Sequence, residues 1–139
     1  MKYIPILIIG LLGLSLACPK KKLKKTIIGT WVYDSYSESS FVYKSMDSLK
    51  INSPGIEFRK NGTLIKRQNA GWCGTPPITY SNQEGSWKIL SDTSIQISYD
   101  YWRGQVEENL WIQASEEGIL KYEIIESRAS QEQSINKEK

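Results

Sequence analysis

Asn61-Gly62 stands between Ile56-Glu-Phe-Arg-Lys60 and Thr63-Leu-Ile-Lys-Arg67. Two residues that tolerate positive φ, flanked by β-prone segments, form the strongest short-range signal for a tight antiparallel hairpin. The arrangement recurs downstream. Gly85–Leu90 and Ser94–Tyr101 flank Ser91-Asp92-Thr93, and Gln105–Ala114 and Ile119–Glu126 flank Ser115-Glu-Glu-Gly118. Gly118 suits the left-handed position that closes such a turn. Thr30–Tyr36 and one bent strand within Phe41–Asn52 complete a set of eight strands. No window carries a convincing helical period, Val42–Leu49 being ambiguous. Eight antiparallel strands predict an all-β fold, an up-and-down barrel, because closure removes exposed strand edges. A two-sheet sandwich is the alternative. A barrel of this strand number is just wide enough to be filled by its own side chains or to hold one small ligand.

The first 17 residues read as an address. Lys2 is followed by the uncharged run Ile4–Ala17, which is short for a transmembrane helix and ends in small residues, as a secretory signal does. A barrel of residues 27–127 is thus expected behind a signal (1–17) and a basic tether that starts at Cys18 (18–26), and ahead of a disordered polar tail (128–139). The tether has five lysines in the seven residues Pro19–Lys25. It reads as a short solvated spacer, with a patch for anionic headgroups or nucleic acid as the other reading. Of 18 basic residues, one is in the signal and five are in the tether, leaving 12 against 15 acidic ones. The body is therefore net acidic, and a nucleic-acid partner is not expected.

The chain has no histidine and only two cysteines. Catalysis through Ser/His or Cys/His is excluded, as is any zinc site that needs imidazole or four thiolates from one chain. No cofactor or metal is expected.

Four short segments carry resemblances. Ser15-Leu-Ala-Cys18 resembles the lipobox of bacterial lipoproteins, which implies lipid on the Cys18 thiol and a protein anchored in the cell envelope. Gly29-Thr-Trp31 resembles the Gly-x-Trp motif of lipocalins. Phe58–Thr63 and Gly85-Ser-Trp87 are similar to segments of small lipocalin-like lipoproteins of Bacteroidetes-type bacteria. Together these imply a lipocalin-like barrel closed at its Gly-x-Trp end. The lysine run is the opposite of the acidic stretch that surface-exported lipoproteins of this kind carry, which implies an outer-membrane protein facing the periplasm.

Counting turns along a simple meander puts the Ala70–Asn82 loop at the same end as Trp87 and Trp31. Trp72, Cys73, Pro76 and Pro77 are accordingly expected to form an aromatic plug there, or an interface loop. Cys73 looks like the start of a thioredoxin motif, but Pro76 occupies the place of the second cysteine and no helix follows to activate a thiol. A buried, inert thiol is expected, with a mixed disulfide to a partner as the alternative.

Alternation puts Ile95, Ile97, Tyr99 and Tyr101 on one face of their strand. Val106, Glu108, Leu110, Ile112 and Ala114 share a face of the next, and Leu120, Tyr122 and Ile124 continue it. With Trp31 and Tyr33 inward on the first strand, a pocket would be lined by aliphatics and by Trp31, Tyr33, Tyr99, Tyr101, Glu108 and Tyr122. The expectation is a non-enzymatic, membrane-anchored protein that binds a small hydrophobic or amphipathic ligand. The alternative is a filled barrel that contacts a protein partner as an inhibitor or assembly accessory. An enzyme ranks last, since Asp34, Glu57, Glu84 and Glu108 show no spacing that pairs two carboxylates.

Overall fold

The computed structural model describes residues 19–71, 76–101 and 104–131. Among them lie one helix and eight strands: α1 (Pro19–Ile27), β1 (Gly29–Ser37), β2 (Ser40–Met46), β3 (Gly55–Phe58), β4 (Thr63–Asn69), β5 (Tyr80–Ile89), β6 (Ser94–Tyr101), β7 (Gly104–Ala114) and β8 (Ile119–Gln131). The strands close into one barrel in the order β1-β2-β8-β7-β6-β5-β4-β3. Every neighbouring pair is antiparallel.

From β3 to β8 the strands neighbour one another in chain order, joined by the turns that composition marks. The first hairpin enters the other way round, with β1 beside β3 and β2 beside β8. Its turn uses Glu38 (φ 50°) and Ser39 (φ 66°). Two successive left-handed residues give the twist a two-residue hairpin needs, here without glycine or asparagine.

The strand starts position the tryptophans. β5 begins at Tyr80, five residues earlier than the alternation around Gly85–Leu90 suggests, so Trp87 lies near its far end. There the Trp87 backbone N–H donates to Gly62 O (2.9 Å) and its indole N–H to Arg59 O (3.0 Å). Phe58 meets the Trp87 ring edge-on at 5.6 Å. Gly29 pairs with Phe58, which brings Trp31 to the same end. The tryptophans of both Gly-x-Trp motifs therefore share the tight-turn end of the barrel. Pro76 and Pro77 begin the approach to Tyr80 at the other end and are exposed. The expected plug of Pro76 and Pro77 beneath these tryptophans is not formed, because a longer β5 carries Trp87 across the barrel.

What closes the tight-turn end is α1. Residues 19–26, expected as a solvated tether, belong to a helix whose Leu23 and Ile27 are four residues apart on one face. Both are buried in the main core, Ile27 completely. The Trp31 indole donates to Ile27 O (2.7 Å). Thr26 Oγ1 bonds back to Leu23 O (3.0 Å) and meets Ser115 Oγ at 2.7 Å. Burying two aliphatic side chains contributes about 2 kcal/mol each, enough to hold a lysine-rich segment against the barrel.

Two further boundaries differ from expectation. β8 continues through 128–131, paired with Gly104–Glu107, where a tail was expected to start. Register shifts near Ala114 and Asn109 turn the end of β7 outward, so Ala114 is exposed and leaves the inward row.

Candidate functional site

The barrel interior is layered. Toward α1 it is apolar and packed, with Ile27, Ile56, Phe58, Leu64, Ile95 and Ile97 almost wholly buried. Toward the other end, the mouth, polar groups enter. β4 carries Leu64 inward, and two residues on the same face presents Lys66. The Lys66 side chain, 12% exposed, crosses the interior to Glu108, 10% exposed, with Nζ 2.9 Å from Oε2. Tyr99, paired near the join of β6 and β7, completes the group. Its hydroxyl donates to Glu108 Oε1 (3.1 Å) and accepts from Lys66 Nζ (3.0 Å), which also lies 4.2 Å from the Tyr99 ring centroid.

A second cluster is aromatic. Tyr122 is stacked between Phe41 (5.6 Å) and Tyr43 (5.5 Å), and Tyr33 meets Tyr43 edge-on at 5.7 Å. The Tyr122 hydroxyl donates to Tyr43 Oη (3.2 Å). Tyr36 packs on Phe41 nearer the solvent. One more step along β4, the amide nitrogen Nε2 of Gln68 is buried and has no hydrogen-bond partner among the described residues.

Electrostatics follow from burial. Desolvation pulls the Lys66 ammonium below its ordinary value, against the opposing attraction of Glu108. Burial pushes the Tyr43 hydroxyl up to about 12, with the Tyr122 hydrogen bond acting the other way. Burial, then the Glu108 charge, raise Tyr99. Tyr122 is raised by burial and then by Tyr43. At neutral pH these tyrosines hold their protons: Tyr99 donates to Glu108 and Tyr122 to Tyr43, and none serves as a base.

A tyrosine raised in the folded state stabilises fully below its unfolded value near 10 and loses that contribution as pH climbs to the folded value. Lys66 runs oppositely, since the cost of keeping it charged is relieved once pH passes its lowered value. The unfolding free energy from urea denaturation is therefore expected to fall above pH 10 by about 1.4 kcal/mol per pH unit for each tyrosine still neutral in the barrel. Tyrosinate absorbance should appear in step with unfolding. Ionisation of all tyrosines near pH 10 with no loss of stability would contradict the assignment.

The structure brings together Tyr99 and Glu108 directly. Tyr33 and Tyr122 meet through Tyr43. Tyr101 is half-buried and packs against the core. Trp31 does not join them; it is 4% exposed at the α1 end. Cys18, Trp72 and Cys73 lie outside the described residues. Lys66, Gln68, Phe41 and Tyr43 were not singled out from the sequence. Alternation from Leu64 would have turned Lys66 and Gln68 inward, but a lysine and a glutamine in a hairpin arm read as solvent-facing.

Fold and interior define an eight-stranded antiparallel β-barrel with a helix-capped, apolar base and a polar-aromatic upper half. No protein family, curated protein or solved structure matches the chain.

Proposed function

We infer that this chain is a membrane-anchored, non-enzymatic lipocalin-like lipoprotein that takes a small amphipathic ligand through the barrel mouth. The observation that carries the reading is the Lys66–Glu108–Tyr99 group inside the wall. A buried ion pair is seldom needed for stability, since apolar residues of similar volume commonly serve as well or better. Its value lies in orienting something polar. Phe41, Tyr33, Tyr101 and Val106, all partly buried against the core, supply an apolar collar for the ligand body. Gln68 Nε2 offers a donor that a ligand oxygen satisfies.

Charge balance refines the ligand class. Lys66 and Glu108 neutralise each other, so a charged head group would arrive unpaired and pay for its desolvation. An uncharged hydrogen-bonding head, such as an alcohol or amide, fits better. Lipidation of Cys18 and location at the outer membrane facing the periplasm belong to the same reading. They are supported by the Ser15–Cys18 motif and the apolar run before it.

Two dansyl probes of equal chain length test this, one ending in a primary amide and one in a carboxylate. The amide is expected to bind saturably and at least about tenfold tighter, a difference of ~1.4 kcal/mol. Preference for the carboxylate, or binding of neither, would contradict the reading. The exposed Pro76-Pro77-Ile78 segment favours a second reading, contact with a protein partner at the mouth. That reading predicts a stable partner, no bound small molecule, and weakened association in Ile78→Asp.

A further inference from the structure

The helix-capped end of the barrel has an outer surface as well as an inner one. On its inner side α1 buries Leu23 and Ile27; on its outer side Lys22, Lys24 and Lys25 are exposed. Lys22 is held by Glu116 at 3.0 Å. Lys24 instead borders an open groove of about 260 Å³ with Gly62, Trp87, Lys88 and Ile89. Lys60, in the turn whose Arg59 carbonyl receives the Trp87 indole, is exposed at this same end. Among the described residues, Lys24, Lys25, Lys60 and Lys88 have no ion-pair partner. Exposed acids Glu38 and Asp100 sit at the opposite end, in the β1–β2 turn and near the end of β6. Exposed Asp92 and Glu117 share the base in the neighbouring β5–β6 and β7–β8 turns, so the excess of free cations is local to the side of the Lys24–Lys88 groove.

We propose that this base docks on an anionic lipid surface, with headgroup phosphates seated between Lys24 and Lys88 over Trp87 and Ile89, and the mouth pointing away from the bilayer. The groove combines a cationic rim with an apolar floor, the chemistry a headgroup and its glycerol backbone present together. The connectivity agrees. α1 begins at the residue after Cys18, so an acyl group there would enter the bilayer within about 13 Å of the barrel base, the length of a nine-residue helix. That clause rests on the anchoring reading; the lysine surface does not. Docking through the base leaves the ligand mouth open to the aqueous side, so ligand exchange would run through water or a soluble partner and not through the leaflet that holds the anchor.

Lysine footprinting tests it on the full chain. The protein is placed on vesicles of phosphatidylcholine and on vesicles containing phosphatidylglycerol, acetylated briefly with an activated ester, and mapped by mass spectrometry. Lys24, Lys25, Lys60 and Lys88 are expected to react several-fold more slowly on the anionic vesicles. Lys50, next to the Ile51 carbonyl that Arg67 holds on the mouth-side wall (2.8 Å), should be unchanged. In Lys24→Gln/Lys88→Gln, both exposed and without structural partners, the preference for anionic vesicles should fall about fivefold for each charge removed. Equal reactivity on the two vesicle types, or protection centred on Lys50, would overturn the docking while leaving the anchor intact. Failure to associate with either vesicle would overturn docking and anchoring together.

Discussion

Replacing Glu108 by leucine is expected to cost about 3–5 kcal/mol of folding stability, because it leaves the Lys66 ammonium buried without its partner. Lys66→Met should cost a similar amount, since it strands the Glu108 carboxylate beneath Tyr99. The double variant Lys66→Met/Glu108→Leu should return to within about 1 kcal/mol of the parent or exceed it, as apolar replacements of buried ion pairs often do. Urea denaturation of the four proteins gives the coupling directly. The size of the single effects follows from geometry. Both groups are about nine-tenths buried, and their 2.9 Å contact is one of the few polar links across the interior. Single variants that each lose less than about 1 kcal/mol would mean that water reaches the pair, and that it belongs to a solvated rim.

Gly85→Ala is the second large effect. Gly85 lies opposite Tyr99 in the β5–β6 register. A Cβ there would run into the Ser98 carbonyl oxygen and come within 2.9 Å of Tyr99 Cα, and both are backbone atoms of β6. Neither yields cheaply, so the strands must part. A loss of about 3 kcal/mol or more is expected, at the upper end of overpacking costs. Tyr99 should shift with it and loosen its bonds to Glu108 and Lys66. Ser86→Ala, one residue on and facing solvent, should stay within about 0.5 kcal/mol. Comparable melting of the parent and Gly85→Ala would show that β5 and β6 stand further apart. The glycine of this Gly-x-Trp motif thus answers to a close strand approach, in the middle of β5, not to the start of a strand.

Much of the wall was legible because a period of two is local information. Ile95, Ile97 and Tyr99 on β6, and Glu108, Leu110 and Ile112 on β7, all point inward as alternation requires. The turns at Asn61-Gly62 and Gly118 were legible for the same reason, both glycines taking positive φ. What escaped is non-local or disguised. The pairing of β2 with β8 joins residues some eighty positions apart, and no single strand encodes its neighbour. The β1–β2 turn uses Glu38 and Ser39 in left-handed conformations that carry no turn signature. The helix α1 was hidden by its lysines: Leu23 and Ile27 are its only large apolar residues besides proline, and their meaning appears only against the open end of the barrel. Lys66 was missed because its partner lies 42 residues on, across the interior.

The account turns on whether the upper half of the barrel holds a molecule. Native mass spectrometry of the protein, purified without detergent and compared with Lys66→Met/Glu108→Leu, tests this most directly. The parent should carry a mass excess that vanishes on denaturation. The double variant, folded and at least about as stable, should carry none. A parent with no excess mass, and no uptake from a panel of uncharged amphipathic molecules, would contradict ligand binding. So would an excess that persists unchanged when the pair is removed.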